Sequence, residues 1–460
     1  MTNTPCFNRV LIANRGEIAL RAIQVCQRLG IETVAVYSTA DATSPHIWSA
    51  DRALCIGPPP AQKSYLAALS LIHVANQTRC NALYPGYGFL SENADFAKQC
   101  AENDIKFIGP SADTIRKMGD KAEARKIAIE LGVPVVPGSD SAYLDVGEAK
   151  SAAGEVGYPV LLKARAGGGG RGMRIVEQEA AFNSAFIQAF REAEATFTDG
   201  AIYIERFFPA VRHIEIQVIG DGQGNSLEFD ERDCSVQRRH QKLVEESPSP
   251  VVSKDLRRQL LEAAAKLTQG IGYEGAGTIE FIFDTATGHF FFIEMNTRIQ
   301  VEHPVTEIRT GLDLIEIQFD IALGKPLPKL DVNKMPGGHA IEFRINAEDW
   351  QQGFQPSPGN LNVWCAPKGT GIRLDTAVYQ GQHISPFYDS MIAKLIIHGC
   401  DRKEALERAR DALSNFQCDG IPTTIGFHRM LIEQEAFIDN GVNTRWLDTD
   451  LFPAGEAKAQ

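Results

Sequence analysis

Short apolar runs alternate with amphipathic stretches through the first hundred residues. Arg9 to Ala13 (RVLIA) reads as a buried strand. Asn14-Arg15-Gly16 turns the chain, and Glu17 to Leu29 carries a helical period that stops at Gly30, a residue suited to the left-handed helix end. Thr33 to Tyr37, Asn81 to Tyr84 and Lys106 to Ile108 repeat the strand signal, with a helix starting near Ser91. Repeated β-α-β units predict a mostly parallel sheet with helices on both faces. The first turn lacks G-x-G-x-x-G, so no dinucleotide site is indicated.

The pattern then changes. Ser111 to Leu131 reads as a helical linker. Pro134 to Phe207 reads as a small separate module centred on YPVLLKARAGGGGRGMRIV, a strand, a glycine-rich loop and a second strand. From His213 onward several strands have antiparallel character, and the last hundred residues are mixed α+β with a Pro/Gly-rich passage at Gln355 to Asn360. No internal repeat or low-complexity tract interrupts the 460 residues, enough for two to four domains.

Charge narrows the function classes. A formal net charge of -12 disfavours broad adhesion to nucleic acid or anionic membrane. No apolar run approaches the ~18 residues of a membrane helix, and the N-terminus lacks a signal-peptide core, so a cytoplasmic protein is expected. Nine scattered cysteines without a C-x-x-C pair fit reduced thiols rather than a zinc site.

Four constellations carry chemistry. Lys163 precedes the loop Gly167 to Gly172, whose glycines suit either close approach to a phosphate or a mobile hairpin; it is not a Walker A loop. The segment GTIEFIF-DTATG-HFFFIEMN reads as a hairpin with its turn centre between Ala286 and Thr287, setting Glu280 opposite Glu294. Facing carboxylates are unfavourable unless a cation such as Mg²⁺ joins them, with Asn296 as a third oxygen ligand; the alternative is two solvated glutamates. The dense run Asn296, Arg298, Gln300, Glu302 and His303 could grip a small planar anion beside a general base, or merely cap the hairpin. Gln237 to Glu246 is basic and then acidic, a pattern that alone predicts a solvated charge run.

Taken in order, IANRGEIALR, YPGYGFLSEN, MGDK, LLKARAGGGGRGM, RHIEIQV, ERDCSVQRRHQKLVEE, FIEMNTRIQVEHPVTE, RINAED and FYDSMIAKLI resemble the biotin carboxylases of the ATP-grasp superfamily, from about Asn8 to Leu451. The resemblance implies an α/β and α+β multidomain chain: an N-terminal parallel α/β domain with linker (1–120), an ATP-grasp region (125–323) with a mobile lid near 134–207, and a mixed C-terminal domain (335–455). It implies ATP phosphates at Lys121, Lys163, Gly169 and Gly170, and adenosine at Glu205, Arg206, Phe207, Phe208, His213, Gln237 and His240. Glu280, Glu294 and Asn296 would hold Mg²⁺, with Mn²⁺ as a substitute. Lys242, Arg298, Gln300 and Val301 would hold bicarbonate, Glu302 would be the general base, and Arg344 would face biotin. The partners implied are a biotin carboxyl carrier protein, carboxyltransferase subunits and a second copy in a homodimer.

The sequence departs from the family at Arg165 and Ala166 in the lid loop, where closure kinetics would differ, and at Ser247 and Ser249, where little effect on chemistry is expected. It has no A-M-K-M biotin-attachment sequence, because Met391-Ile-Ala-Lys394 does not set Met directly before Lys. With no room for a transferase, the chain is expected to act as a subunit whose transferase selects the final acceptor. The rival readings are an ATP-grasp ligase joining an acyl phosphate to an amine, and a non-catalytic subunit that keeps the fold. RIQVEHPVTE and RINAED favour biotin, and the intact acidic and basic set disfavours degeneration.

Overall fold

In the computed structural model, residues 7–165, 173–197, 199–330 and 335–453 are described. The N-terminal sheet contains β1 (Arg9–Ile12), β2 (Glu32–Ser38), β3 (Arg52–Gly57), β4 (Ala82–Tyr84) and β5 (Lys106–Phe107) in the order β3-β2-β1-β4-β5, all parallel. Its two faces feed different cores. Val10 and Ile12 pack with Ile18 and Ile23 of helix Gly16–Leu29, whereas Leu11 packs with Leu71 and Phe96. That is why β1 reads as a continuous apolar run. Gly30, at φ 69°, closes the helix by donating to Cys26 O and Gln27 O.

Two expected boundaries move. The helix anticipated near Ser91 starts at Ala94, because Asn93 rather than Ser91 caps it by accepting from Phe96 N. The helical linker is two helices, Ala112–Gly119 and Lys121–Glu130. Between them Asp120 adopts an extended conformation, and its carboxylate accepts from Ala122 N and Glu123 N. This cap sets Lys121 at the first turn of the second helix.

The small module is a three-stranded antiparallel sheet, β7 (Arg174–Val176), β6 (Val160–Ala164) and β8 (Ile202–Arg206) in that order. Val160, Leu162, Ile202 and Ile204 pack against Phe182 and Phe186 of helix Phe182–Phe197. The glycines expected at the phosphates, Gly169 and Gly170, lie outside the described residues, as does Ala166.

The site is built on one antiparallel sheet. Its strands include β9 (Val211–Asp221), β10 (Ser226–Glu228), β11 (Arg232–Arg238), β12 (Gln241–Ser247), β13 (Glu274–Asp284), β14 (His289–Asn296) and β15 (His339–Asn346). The order is β14-β13-β9-β11-β12-β15, then Met391–Gly399 and Ile372–Thr376, with β10 on the side of β9. The sheet therefore runs unbroken past residue 330. Alternation in β9 sends Ile214, Ile216 and Val218 into a core with Leu260 and Leu267 of helix Lys254–Gly270. His213, Glu215 and Gln217 take the other face.

The Glu280–Glu294 pairing exists, but the turn centre alone does not produce it. From Asp284↔His289 to Phe281↔Phe292 the hairpin pairs about Ala286–Thr287, which by continuation would put Ile293 opposite Glu280. A one-residue bulge at Ile293 inserts there, and Glu294 becomes the partner of Glu280. Phe292 thus stays in the core while Glu294, two residues on, joins the polar face.

The solvated charge run expected for Gln237 to Glu246 is also overturned. These residues form the β11–β12 hairpin in the middle of the sheet, and Gln237, Glu245 and Glu246 are buried. Its exposed end is Arg239, His240 and Gln241, and the two tip residues Arg239 and His240 are at positive φ.

Candidate functional site

A row of acidic side chains crosses the polar face of the sheet. Glu215 on β9 pairs in register with Glu280 on β13, and Glu280 with Glu294 on β14. Such a row would repel itself. Lys242, on β12, compensates it: its Nζ lies 2.6 Å from Glu215 Oε2, 2.9 Å from Glu280 Oε1 and 2.7 Å from Glu302 Oε1. Arg232, fully buried on β11, binds Glu215 through Nε and donates to Gln217 Oε1 at 2.7 Å and Gln300 Oε1 at 2.9 Å. Burial works to raise the pKa of Glu280 and of Glu302, but the cations outweigh it. Lys242 and His213 hold Glu280 well below the carboxylate range, and Lys242, Arg344 and Arg232 do the same for Glu302. His213, although largely enclosed, is held above its ordinary value by Glu280, 3.1 Å away.

The segment after β14 brings its polar groups to this cluster. Asn296 Nδ2 and Gln300 Nε2 each donate to Glu280 Oε1 at 2.9 Å. Arg298 donates to Asn296 Oδ1 at 3.1 Å and from Nε to Glu92 Oε2 at 2.9 Å. Glu302 ends the loop at the start of helix His303–Thr310. On its far side Arg344 Nη2 donates to Glu302 Oε2 at 3.0 Å, and Arg344 Nε donates to Glu245 Oε1 at 2.6 Å. The backbone carbonyl of Arg344 accepts from Thr424 Oγ1 at 2.8 Å and bonds His428 Nε2 at 2.7 Å. Val301 turns its carbonyl to Lys394 Nζ, 3.0 Å away.

The remaining candidates stand toward the small module. Lys121 Nζ is 3.8 Å from Glu294 Oε2. Lys163 is ion-paired with Glu205 across β6 and β8. Phe208 stacks on Phe291 at 5.2 Å, and Phe291 shares a cross-strand row with Ile282 and His213. Phe207 lies under the Arg445 guanidinium, 5.7 Å from its ring centre. Arg206 is half-buried, reaching toward Gly157. Gln237 is the register partner of Lys242, whereas His240 is exposed at the hairpin tip, and among the described residues no hydrogen bond or ion pair joins it to the carboxylate cluster.

The donor set fits a hard divalent cation. Glu294 is held above the usual range by burial and then by the charge of Glu280, with Lys121 compensating from a distance. An under-compensated carboxylate beside a second carboxylate and an amide oxygen suits Mg²⁺ or Mn²⁺. Glu280, Glu294 and Asn296 would hold it.

Sequence reasoning missed Glu215, Arg232, Glu92, Glu245 and Lys394, though each lies inside a quoted motif. The signal for Glu215 was present: I-E-I-Q alternation puts His213, Glu215 and Gln217 on one face. Of the departures from the family, Arg165 makes a two-point ion pair with Asp199 at 2.8 and 3.0 Å. Ser247 Oγ donates to Glu231 O at 2.8 Å and Ser249 Oγ to Asp233 Oδ2 at 2.7 Å, tying the end of β12 to the start of β11. The eight described cysteines are free, and among the described residues no helix is long and apolar enough to cross a membrane.

Comparison with known proteins gives matches along the chain. Residues 6–115 match the family described as "Biotin carboxylase, N-terminal domain", 120–330 "Carbamoyl-phosphate synthase L chain, ATP binding domain", and 342–449 "Biotin carboxylase C-terminal domain". The sequence is 50% identical to biotin carboxylase 1 of Bacillus subtilis (strain 168) over 443 residues, covering 96% of this chain and 98% of that one. It is 49% identical to the biotin carboxylase of Haemophilus influenzae, covering 97% and 99%. The fold superposes on a biotin carboxylase–beta-gamma-ATP complex from Campylobacter jejuni with a TM-score of 0.91 at 45% identity, covering 96% and 98%. It also superposes on the biotin carboxylase domain dimer of Hydrogenobacter thermophilus 2-oxoglutarate carboxylase, solved with MgADP and bicarbonate, with a TM-score of 0.90 at 45% identity, covering 96% and 97%.

Proposed function

The chain belongs to the biotin carboxylase family, and from that premise we propose how its residues carry out the ATP- and bicarbonate-dependent carboxylation of biotin on a separate carrier protein. One observation carries the reading: a single ammonium, Lys242, touches three carboxylates while Arg344 holds the third of them from the other side.

Bicarbonate enters between Lys242, Arg298, Gln300 and the Val301 backbone. Its negative charge draws Lys242 from Glu302, and the carboxylate, so weak a base while doubly paired, regains basicity. Glu302 then takes the bicarbonate proton, and the freed oxygen attacks the γ-phosphoryl group of ATP. Lys121 and Lys163 neutralise charge on the transferring group, and Mg²⁺, when bound, would add the same electrostatic stabilisation. Carboxyphosphate breaks down to CO₂ and phosphate, and the phosphate removes the proton from the biotin ureido nitrogen. Arg344, with Arg298, stabilises the enolate-like biotin that attacks CO₂. The small module, 134–207, closes over this reaction because carboxyphosphate hydrolyses in water. Adenosine rests on Glu205 to Phe208, His213, Gln237 and His240.

The functional units are 1–120, 125–323 and 335–455, working as a homodimer in the cytoplasm with a biotinyl carrier and a transferase. The test is ATP cleavage that requires bicarbonate and rises with free biotin. Glu302→Gln should lower it by about 10²–10⁴-fold, as expected for loss of a general base. Turnover indifferent to bicarbonate, or a fully active Glu302→Gln protein, would sink this assignment.

A further inference from the structure

Two carboxyl groups behind Arg344 have unused hydrogen-bonding capacity. Glu245 on β12 and Glu342 on β15 are register partners on adjacent antiparallel strands, and both are wholly buried. Among the described residues, neither oxygen of Glu342 has a hydrogen-bond partner, nor does Oε2 of Glu245, whose Oε1 accepts from Arg344 Nε. Directly opposed residues have Cβ atoms ~4.5–5.5 Å apart, so these carboxyls are neighbours.

The cations facing the pair are committed elsewhere. Arg344 divides itself between Glu245 and Glu302. Lys394, on the strand beyond β15, binds Glu17 at 3.0 Å and the Val301 carbonyl, with Asp375 3.9 Å away. Lys242 serves Glu215, Glu280 and Glu302. Two ionised carboxylates side by side in such a medium are unfavourable. Burial pushes Glu342 well above the carboxylate range, and it pushes Glu245 up to about 7 even with Arg344 pulling the other way. A carboxylic acid has one O–H to donate, and the group directly across from Glu342 offers an unfilled acceptor.

We propose that Glu342 is a neutral carboxylic acid whose hydroxyl hydrogen-bonds Glu245 Oε2, and that this pair, carrying one negative charge, is the positioning element that aims Arg344 at biotin. The inference rests on the reading of Arg344 as the biotin-facing cation. With Glu342 neutral, Glu245 keeps its charge and its grip on Arg344 Nε. Nη2 can then leave Glu302 for the developing charge on biotin without the guanidinium losing its anchor.

The full-length protein with ATP, bicarbonate and free biotin provides the test. Glu342→Ala removes the donor and should lower kcat/KM for biotin about tenfold or more, while the KM for ATP moves by less than about twofold. Glu342→Gln keeps a donor and has no proton to lose, so it should rescue kcat/KM to within about threefold of the parent. The infrared spectrum of the parent at neutral pH should contain a protonated-carboxyl C=O stretch that Glu342→Gln removes. A glutamine variant as impaired as the alanine variant, or one that leaves that band unchanged, would overturn the proposal. If Arg344→Ala left biotin kinetics untouched, the biotin reading of Arg344 would fall and the positioning role with it; the infrared band would still report the proton on Glu342.

Discussion

Single residues here answer to charge as much as to size. Among the described residues, Lys242 is the sole ammonium bonded to Glu215, Glu280 and Glu302 together. Lys242→Met would strand those carboxylates, and urea denaturation should register a loss of about 3–5 kcal/mol, the cost of breaking buried ion pairs from one side. The buried histidines give a pH signature. Burial holds His46 and His428 down at about 4, against 6.5 for an exposed imidazole. Between those values the unfolded chain takes up protons that the native state refuses. The stability these two histidines contribute is therefore complete above pH ~6.5 and falls toward pH 4, by up to about 3 kcal/mol per histidine. His428→Gln should flatten that decline in urea titrations run across the same pH range. The side chains that the sheet gathers were legible where they sit inside a recognisable run, as for Glu280, Glu302 and Arg344. Glu245 and Lys394 escaped because a charged letter in a strand does not declare which face is covered. Each is buried only because a strand far away in sequence lies beside it.

Elements set the distances. The hairpin of β13 and β14 was legible as a hairpin, with its turn centre between Ala286 and Thr287. The bulge at Ile293 was not, since an inserted residue leaves no compositional trace when it is itself apolar. That insertion decides whether isoleucine or glutamate faces Glu280. The β11–β12 tip holds Arg239 and His240 at φ 48° and 65°, a conformation that favours glycine or asparagine in two-residue turns. His240→Gly should relax it and raise unfolding stability by about 1 kcal/mol. With adenosine proposed to rest on His240, the same change should raise the KM for ATP. Asp120→Ala tests the other short device: losing this cap should cost about 1 kcal/mol and weaken ATP binding through Lys121, readable by isothermal calorimetry.

At the scale of the molecule, Lys394 ties three stretches together. It projects from Met391–Gly399, binds Glu17 of the first long helix and holds the carbonyl of Val301. Lys394→Met should lower stability by about 3–5 kcal/mol and raise the KM for bicarbonate through the loosened loop, a pair of changes that denaturation and steady-state kinetics would separate. The alternation of strand and helix in the first hundred residues was enough to predict the parallel sheet. The sheet crossing residue 330 was not legible, because the pairing of β12 with β15 joins strands about ninety residues apart. The row of Glu294, Glu280 and Glu215, and Lys242 with it, is carried by that sheet, and all but Glu294 lie on strands bonded to neighbours on both edges. The amide protons of Glu280 and Glu215, with register partners on both sides, should therefore exchange with deuterated solvent among the slowest in the protein. The atoms proposed to handle substrate would then hang from the part of the backbone that opens least often.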